Sequence, residues 1–519
     1  MKPLGNIIEE STPFHFMIKV GKDCAIGMHD YVVVKVLEPG EGGAVPREVL
    51  AEVVGLGFKN PLATERLTSE QNVASYSYKI VRAEVLGYVS EDGTVLRPKA
   101  APEPNSPVYR ADDDMLKAFF RGMEQRIPIY IGSLLNRPGI KVPVHLQDLQ
   151  FHLGIFAQTR AGKSYLSGKF MEEILSKTPF PVIVIDIHGD YVMMDRSPNG
   201  GRHGEFDVVV YYPPGSPRIE GVTADVRELK ISSKQMSNEA IAELLGALGP
   251  RQAIILRNIL RELRAQRKPF GLRDIMAKIE DRLNERDEDG RFVLKGEERE
   301  RHESLLLRLE DLGEEVSLPA EGLAVEDLLR PKTLSVVCLR GLRSRVQDVY
   351  TGMLVDLVFR HLLSHAGDIR AAPPTFLFIE EAHRVATKEG TSRYAVKAIS
   401  TAIREGAKFG LYLTLISQRP RSIAPDILSN IGNYAVLRIT NQQDQAMIEA
   451  ASEGFTHRLI EDLPSLNQGE AVLVGPFVPF PSHIRVLERF TLHHGATPNL
   501  KAIMDRMNRE LRRRDEEGW

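Results

Sequence analysis

Residues 154–170, GIFAQTRAGKSYLSGKF, are the starting point for assigning a fold to this chain. They depart at one position from Gly-x-x-x-x-Gly-Lys-Ser/Thr, the pattern of loops that bind nucleotide phosphates, because Ala157 replaces the first glycine. An apolar segment precedes the loop and a helical pattern follows it, so backbone N–H groups and a helix N-terminus would face one point. The first glycine stands where the strand ends, and alanine brings the smallest β-carbon to that place. We therefore predict a phosphate-binding loop.

The loop predicts ATP and Mg²⁺ as ligands. Gly162 lets the backbone approach the phosphates, the Lys163 ammonium would lie between the β- and γ-phosphates, and the Ser164 hydroxyl would ligate Mg²⁺. The predicted nucleotide contacts of the loop are Thr159, Arg160, Ala161, Gly162, Lys163, Ser164 and Tyr165.

Three further strand ends carry polar residues that suit ATP hydrolysis. In TFLFIEEAHRV (375–385), Glu380 can hold the Mg²⁺ shell and Glu381 can polarise the attacking water. Asp186, in VIVIDIHGDY (182–191), would lie within reach of the metal shell or the water, and Gln418, in LTLISQRPRSI (413–423), would sense the γ-phosphate. The alternatives are a surface or helix N-terminal pair for the two glutamates, a turn or N-cap aspartate, and a turn glutamine.

Ring ATPases also use a cation from an adjacent subunit to stabilise charge on the γ-phosphate. STAIREGAKFGLYL (400–413) offers Arg404 as the first candidate for this arginine finger, with Lys408 four residues on. Arg384, Arg419 and Arg421 are competing candidates, and an ordinary exposed cation is the alternative for each.

The chain is predicted to be an α/β protein with a RecA-like phosphate-loop core, a parallel-rich central sheet, an N-terminal small β-barrel and a helical insertion. Core strands are predicted at 152–158, 181–186, 333–339, 375–381, 411–417, 434–440 and 470–475, because their apolar runs do not alternate. Leucines and isoleucines at helical spacing fill the insertion. The predicted boundaries are 1–110 for the barrel with a proline-rich connector, 125–232 and 332–490 for the core, 233–331 for the insertion and 491–519 for a helical tail.

The composition of the chain excludes several classes of protein. The 519 residues carry a net charge of −3, so no global basic signature points to nucleic acid, although a motor enclosing DNA needs cations only along its path. The two cysteines, Cys24 and Cys338, form neither a disulfide framework nor a metal cluster. With no signal peptide and no apolar run of about 20 residues, we expect a soluble, cytoplasmic protein with no membrane partner.

In this order, the motifs QTRAGKS, DIHGDY, FIEEAH, REGAKFG and ISQRP resemble HerA, the archaeal hexameric DNA translocase of the FtsK–HerA group. The likeness extends to residues 127–156 and to the β-rich N-terminus, which is similar to that family's HAS-barrel. It implies a six-membered ring that moves on double-stranded DNA and works with a NurA-type nuclease in end resection for double-strand-break repair. It also implies nucleotide contacts after the last core strand, which we place at Pro481 and Ser482.

Two other functions stay open on the residues. One is a non-hydrolysing, ATP-binding scaffold, and the other is a motor of the same group acting on a protein or conjugative substrate. DNA-contacting cations are predicted on loops that line a pore, and each has a solvated surface cation as its alternative; the candidates are Arg340, Arg343, Arg345, Arg384, Lys388, Arg393 and Lys397.

Overall fold

A computed structural model describes residues 2–8, 11–40, 43–59, 77–124, 127–387 and 392–495, together with 501, 504, 505 and 507–509. Most of the predicted tail, 491–519, therefore lies outside the described residues, and so does Lys388. The chain divides into two compact units, one spanning 1–177, 381–390 and 399–488 and the other 178–380, 391–398 and 489–519. The N-terminal strands and the phosphate loop share the first unit, and the domain boundaries given above stay a prediction.

The first unit begins with a closed β-barrel. Six strands follow the order β2-β1-β7-β3-β4-β5, and β5 pairs antiparallel with β2 to complete the circle. Valines and isoleucines that alternate along these strands fill the interior. The predicted N-terminal barrel is thus confirmed. Its strands, with a short β6 on β5, are β1 (Gly5–Ile8), β2 (His15–Val20), β3 (Tyr31–Gly40), β4 (Gly43–Lys59), β5 (Tyr78–Val89), β6 (Val95–Leu96) and β7 (Pro107–Arg110).

The proline-rich segment after β6 corrects one prediction. The sequence predicts a connector here, but Pro107–Arg110 forms β7 and pairs with both β1 and β3. Proline is tolerated there because Pro107 is the first residue of the strand. Helix α1 (Asp113–Glu124) follows two residues later, so the segment closes the barrel instead of only linking domains.

The rest of the first unit contains the phosphate loop. Its first part comprises β8 (Pro128–Leu134), β9 (Arg137–His145), β10 (Leu153–Phe156) and α2 (Lys163–Lys177). The chain then enters the second unit, whose strands are β11 (Val182–Asp186), β12 (Asp207–Tyr212), β13 (Asp225–Glu228), β14 (Thr333–Cys338) and β15 (Thr375–Ile379). These five strands are all parallel, in the order β13-β12-β14-β11-β15. Fully buried runs such as Val182–Asp186 account for the missing alternation in the sequence.

The second unit also holds a helical segment between β13 and β14. Its helices are α3 (Asn238–Leu244), α4 (Pro250–Ala265), α5 (Leu272–Asn284) and α6 (Gly296–Glu315). One face of each is apolar, and Ile259, Ile275 and Leu305 are completely buried where these faces meet. Helix α7 (Ser344–Ser364) follows β14, and α8 (Arg393–Glu405) has residues in both units.

The chain returns to the first unit with β16 (Leu411–Ser417), α9 (Pro425–Leu428), β17 (Asn433–Leu437), α10 (Gln442–Ala451), α11 (His457–Asp462), β18 (Glu470–Val474) and β19 (Ser482–Val486). There the strand order is β16-β10-β17-β18-β19-β8-β9, in which the first three strands are parallel and the others antiparallel. The large sheet is therefore mixed, as the α/β class predicts in outline. We call the edge at which β10, β16 and β17 end the loop edge, and the edge at which they begin the far edge.

Candidate functional site

The phosphate loop leaves the loop edge directly from β10. Ala157 is completely buried, and its N–H donates to the carbonyl oxygen of Ser417 at 3.2 Å, so it continues the strand pairing. The next N–H, of Gln158, donates to the carbonyl oxygen of Arg438 at 3.0 Å. The position that carries a glycine in the sequence pattern thus directly follows the strand and continues its pairing, and a buried alanine side chain is accommodated there.

The turn of the loop requires left-handed backbone at two positions. Gly162 has φ +107° and Arg160 has φ +65°. Glycine adopts such angles without a steric cost, which explains its place immediately before the helix. Helix α2 then begins at Lys163 and carries no acidic residue in its first turn. The backbone N–H groups at its start and the positive end of its dipole form a site for an anion.

The side chains of the loop connect to two other strand ends through a chain of hydrogen bonds. Lys163 Nζ donates to Glu381 Oε1 at 2.8 Å, and Gln418 Nε2 donates to the same oxygen at 2.7 Å. Thr159 Oγ1 donates to Gln418 Oε1 at 2.6 Å. The structure therefore brings together the predicted phosphate-binding lysine, the predicted catalytic acid and the predicted sensor, all in the first unit.

Glu381 is held in an unusual conformation. Its backbone is left-handed, with φ 46° and ψ 42°, although it is not a glycine. Such a residue costs on the order of 1 kcal/mol or more and persists where surrounding structure fixes it, often at functional sites. His383 approaches from the same turn, with Nδ1 3.2 Å from Glu381 Oε2, and sequence reasoning did not single it out. Burial lowers the pKa of His383, which keeps the imidazole neutral at neutral pH.

Glu380 and Asp186 belong to the second unit. Glu380 is buried, and its Oε1 accepts a hydrogen bond of 3.2 Å from the Tyr191 hydroxyl. Asp186 accepts four backbone N–H bonds from the turn that follows it; the donors are His188 (3.2 Å), Gly189 (2.6 Å), Asp190 (3.1 Å) and Tyr191 (3.0 Å). Burial raises the pKa of Asp186, although the four backbone hydrogen bonds act to lower it. This geometry favours the alternative of a turn aspartate over a catalytic role.

Arg404 lies at the far edge of the sheet. The preceding residue, Ile403, accepts a hydrogen bond of 2.7 Å from Nε2 of His152, which stands directly before β10. The strand rises by about 16 Å from His152 to Ala157. Arg404 is exposed, as is Lys408. Arg404 is therefore remote from the phosphate loop of its own chain, and it could act as a finger only on a nucleotide that another copy holds.

The competing cations have other positions. Arg384 and Arg419 follow β15 and β16, and Arg419 is exposed. The Arg421 guanidinium donates to the side-chain oxygen of Gln443, and the Arg421 backbone N–H donates to Oδ1 of Asp444 at 3.1 Å.

Among the candidate DNA contacts, Arg343 forms ion pairs with Asp311 and Glu315, and Lys397 forms one with Glu239. Arg340 and Arg393 are exposed, and Arg345 is partly buried.

Pro481 and Ser482 do not lie near the phosphate loop of their own chain. Because β18 runs antiparallel to β17, the β18–β19 connection turns at the far edge, where Ser482 pairs with Leu473. The resemblance to HerA placed nucleotide contacts at these residues, and that role stays a prediction, for a nucleotide that their own phosphate loop does not hold. The segment that does reach the loop is Gly469, whose N–H donates to the Ala161 carbonyl oxygen at 3.4 Å. The NQG turn before β18 was the sequence signal for it.

The described part of the chain has no helix whose length and apolarity would let it cross a membrane. Residues 129–358 match the family described as Helicase HerA, central domain. A probable helicase of Methanocaldococcus jannaschii is 26% identical over 446 residues, which cover 83% of this chain and 80% of the relative. The DNA double-strand break repair helicase HerA of Pyrococcus furiosus is 26% identical over 479 residues, covering 82% and 81%.

Among solved structures, VirB4 of Thermoanaerobacter pseudethanolicus superimposes with a TM-score of 0.50 at 14% identity, covering 70% of this chain and 96% of that one. At this identity the likeness concerns the fold alone. The chain is therefore similar to the HerA helicases over most of its length, and its residues 129–358 match the central domain of that family.

Proposed function

We propose that this protein is an ATP-driven translocase of double-stranded DNA. The observation that carries the proposal is the convergence of Lys163, Glu381 and Gln418 on one another beside the phosphate loop. A loop that only bound ATP would need the lysine and the helix N-terminus, whereas a buried carboxylate and an amide at that point suit hydrolysis.

The bonds among these side chains suggest a sequence of events. When ATP is bound, its phosphates take up the N–H groups of the α2 N-terminus, and Lys163 leaves Glu381 for the β- and γ-phosphates. Glu381 is then available to accept a proton from the attacking water, with neutral His383 beside its second oxygen. Gln418, which bonds both Glu381 and Thr159, is placed to respond to loss of the γ-phosphate.

Ser164 and Glu380 are the proposed Mg²⁺ ligands, and their hydroxyl and carboxylate oxygens are the donors that this ion prefers. Bound Mg²⁺ would neutralise charge that develops on the phosphates. The Tyr191 hydroxyl fixes the orientation of the Glu380 carboxylate for this role.

We further propose that Arg404 acts across a subunit boundary. Because Arg404 lies at the far edge, it cannot reach a nucleotide bound by its own phosphate loop. An arginine finger at this position therefore requires a ring of copies. A ring of six subunits follows from the resemblance to HerA. The relatives named as DNA double-strand break repair helicases support DNA as the substrate and double-strand break repair as the process. End resection with a NurA-type nuclease as the partner follows from the resemblance to HerA alone.

The test is ATP turnover by the purified full-length chain with and without linear duplex DNA. We expect turnover to rise strongly with DNA and the stimulation to weaken as salt rises, since phosphate contacts release counterions. Glu381→Gln protein serves as the matched blank for contaminating ATPases. Binding of ATP without turnover would support the scaffold instead, and turnover that ignores DNA in an assembled ring would support a motor for another substrate.

A further inference from the structure

A cluster of two histidines and a glutamate lies in the first unit, away from the phosphate loop. Oε1 of Glu52, on β4, is hydrogen-bonded to Nδ1 of His29 at 2.8 Å, and it lies 3.0 Å from Nδ1 of His483. The three ligand atoms all lie within 4.8 Å of one another. They come from the loop before β3, from β4 and from β19, so the fold brings them together from positions far apart in the sequence.

All three side chains are enclosed but reachable. The side chains of Glu52 and His483 are 5% and 2% exposed, and that of His29 is 12% exposed. Glu52 also lines a cavity of about 460 Å³ that it shares with Phe14, Arg97 and Pro481. A small ion thus has a route to the cluster, and water has room to complete its coordination.

The backbone holds His29 in place. Its φ of 63° is left-handed, and its N–H donates at 2.8 Å to the carbonyl oxygen of Val53, the residue after Glu52. A non-glycine residue keeps a left-handed backbone only where the surrounding structure fixes it, so His29 is held beside Glu52.

His483 is buried, at 1% exposure, with both ring nitrogens lacking a standard hydrogen bond. Its Nε2 lies 3.5 Å from Oδ2 of Asp462, which directs the opposite nitrogen, Nδ1, toward Glu52 and His29. Metal-bound histidines commonly have such a carboxylate behind the second nitrogen.

We propose that His29, Glu52 and His483 form a zinc site that fastens the barrel to the β18–β19 hairpin, with Asp462 orienting His483. Two imidazole nitrogens and one carboxylate oxygen are a common zinc ligand set, and water would supply the fourth position. Zinc bonds of about 2.0–2.1 Å place tetrahedral ligand atoms about 3.3 Å apart, so the two distances from Glu52 Oε1 would each have to lengthen by about 0.3–0.5 Å to admit the ion.

Charge in the cluster is consistent with a bound cation. The two carboxylates, Glu52 and Asp462, are both enclosed, and Arg458, at 3.5 Å from Asp462, adds a permanent positive charge. The rival arrangement places a proton on His483 instead of a metal between the rings. Burial alone would lower the pKa of His483, but the negative charges of Glu52 and Asp462 outweigh it and raise that pKa to about 9. The experiment must therefore distinguish zinc from a proton.

The test uses full-length protein prepared without a polyhistidine tag, stripped with a chelator and titrated with Zn²⁺ in a calorimeter. We expect one Zn²⁺ per chain, a higher melting temperature with the metal, and intense visible absorption when Co²⁺ replaces Zn²⁺, as tetrahedral coordination requires. ATP turnover is not the readout, so failure of the proposed translocase function would leave this result intact.

Variants locate the site. His29→Ala, at the least buried ligand and hence the safest for folding, should weaken Zn²⁺ binding by more than about 100-fold, and His483→Ala should do the same, while Asp462→Asn should weaken it by about 10- to 100-fold. His145→Ala is the matched control, because His145 is buried against Asp148 at 2.6 Å without a second imidazole, and it should leave the affinity unchanged. Absence of binding at 100-fold molar excess of Zn²⁺ would overturn the proposal, and so would binding that survives His29→Ala.

Discussion

The Nζ atom of Lys163 lies 2.8 Å from Oε1 of Glu381, and both side chains are buried, at 9% and 6% exposure. In this state the lysine proposed to hold phosphate therefore neutralises the acid proposed to activate water. Each of the two groups lowers the cost of burying the other, and nucleotide binding has to separate them.

The first prediction concerns the acid. Glu381→Gln should lower kcat for ATP by about 100-fold or more while ATP still binds, because an amide cannot accept the proton of the attacking water. Turnover assays and binding of a fluorescent ATP analogue measure the two effects separately. If the variant kept wild-type turnover, Glu381 would not be the general base.

The second prediction concerns the stability of the same pair. Lys163→Met should lower the free energy of unfolding by about 3 kcal/mol, since it leaves a buried carboxylate without its cation. Adding Glu381→Gln should recover much of that loss, and a double-mutant cycle in urea denaturation measures the coupling. Lys397→Met, at a lysine that is 72% exposed and paired with Glu239, is the control and should change stability by less than about 1 kcal/mol. Additive effects of the Lys163 and Glu381 changes would show that the ion pair contributes nothing.

The third prediction tests Arg404 across the boundary between copies. Arg404→Ala and Glu381→Gln proteins should each be inactive, but mixing them should restore part of the turnover. A boundary that joins the intact Glu381 of one copy to the intact Arg404 of the next is complete. Lys408→Ala, an exposed cation on the same edge, should stay active alone. A mixture no more active than its components would rule out Arg404 as the finger.

The fourth prediction is a pH dependence that originates at His152. This imidazole donates from Nε2 to Ile403 and accepts at Nδ1 from the Leu413 N–H at 3.0 Å, which fixes it as neutral. Burial lowers its pKa from 6.5 to about 4. Above pH 6.5 both folded and unfolded chains carry the neutral ring, so the contribution is complete. As pH falls from 6.5 to about 4, the unfolded chain binds the proton first, and stability should decline by about 3 kcal/mol.

Other carboxylates titrate in the same range, so the measurement for His152 is a difference. Urea denaturation of wild type and His152→Gln across this pH range should show a steeper decline for wild type. Parallel curves would mean that His152 is already protonated in the folded protein or that its burial is relieved.

Much of the site could be predicted because its signals are local. An apolar run without alternation gives a buried strand, and the residue after it falls at the edge where parallel strands end, which is why Lys163, Glu381 and Gln418 meet. Asp186 carried the same local signal, yet its carboxylate bonds its own turn. That outcome depends on backbone angles at residues 188–191, which composition does not reveal.

The features that could not be predicted depend on long-range pairing. The direction of β18 decides which edge holds Pro481 and Ser482, and its apolar sequence suits a parallel or an antiparallel neighbour equally. Likewise, β7 forms in a proline-rich segment because β1 and β3 offer it partners. His29, Glu52 and His483 show no mutual spacing, so only the folded chain places them together.

Closure of the six-stranded barrel between β2 and β5 has a consequence for assembly. Within the described residues, the circle leaves no full-length strand whose backbone could continue into a neighbouring molecule's sheet. Copies that gather through this part of the chain must recognise one another by side chains and loops, which substitution can alter without unfolding the barrel. Homologues living in one cell could thereby keep the same scaffold and still avoid building mixed assemblies.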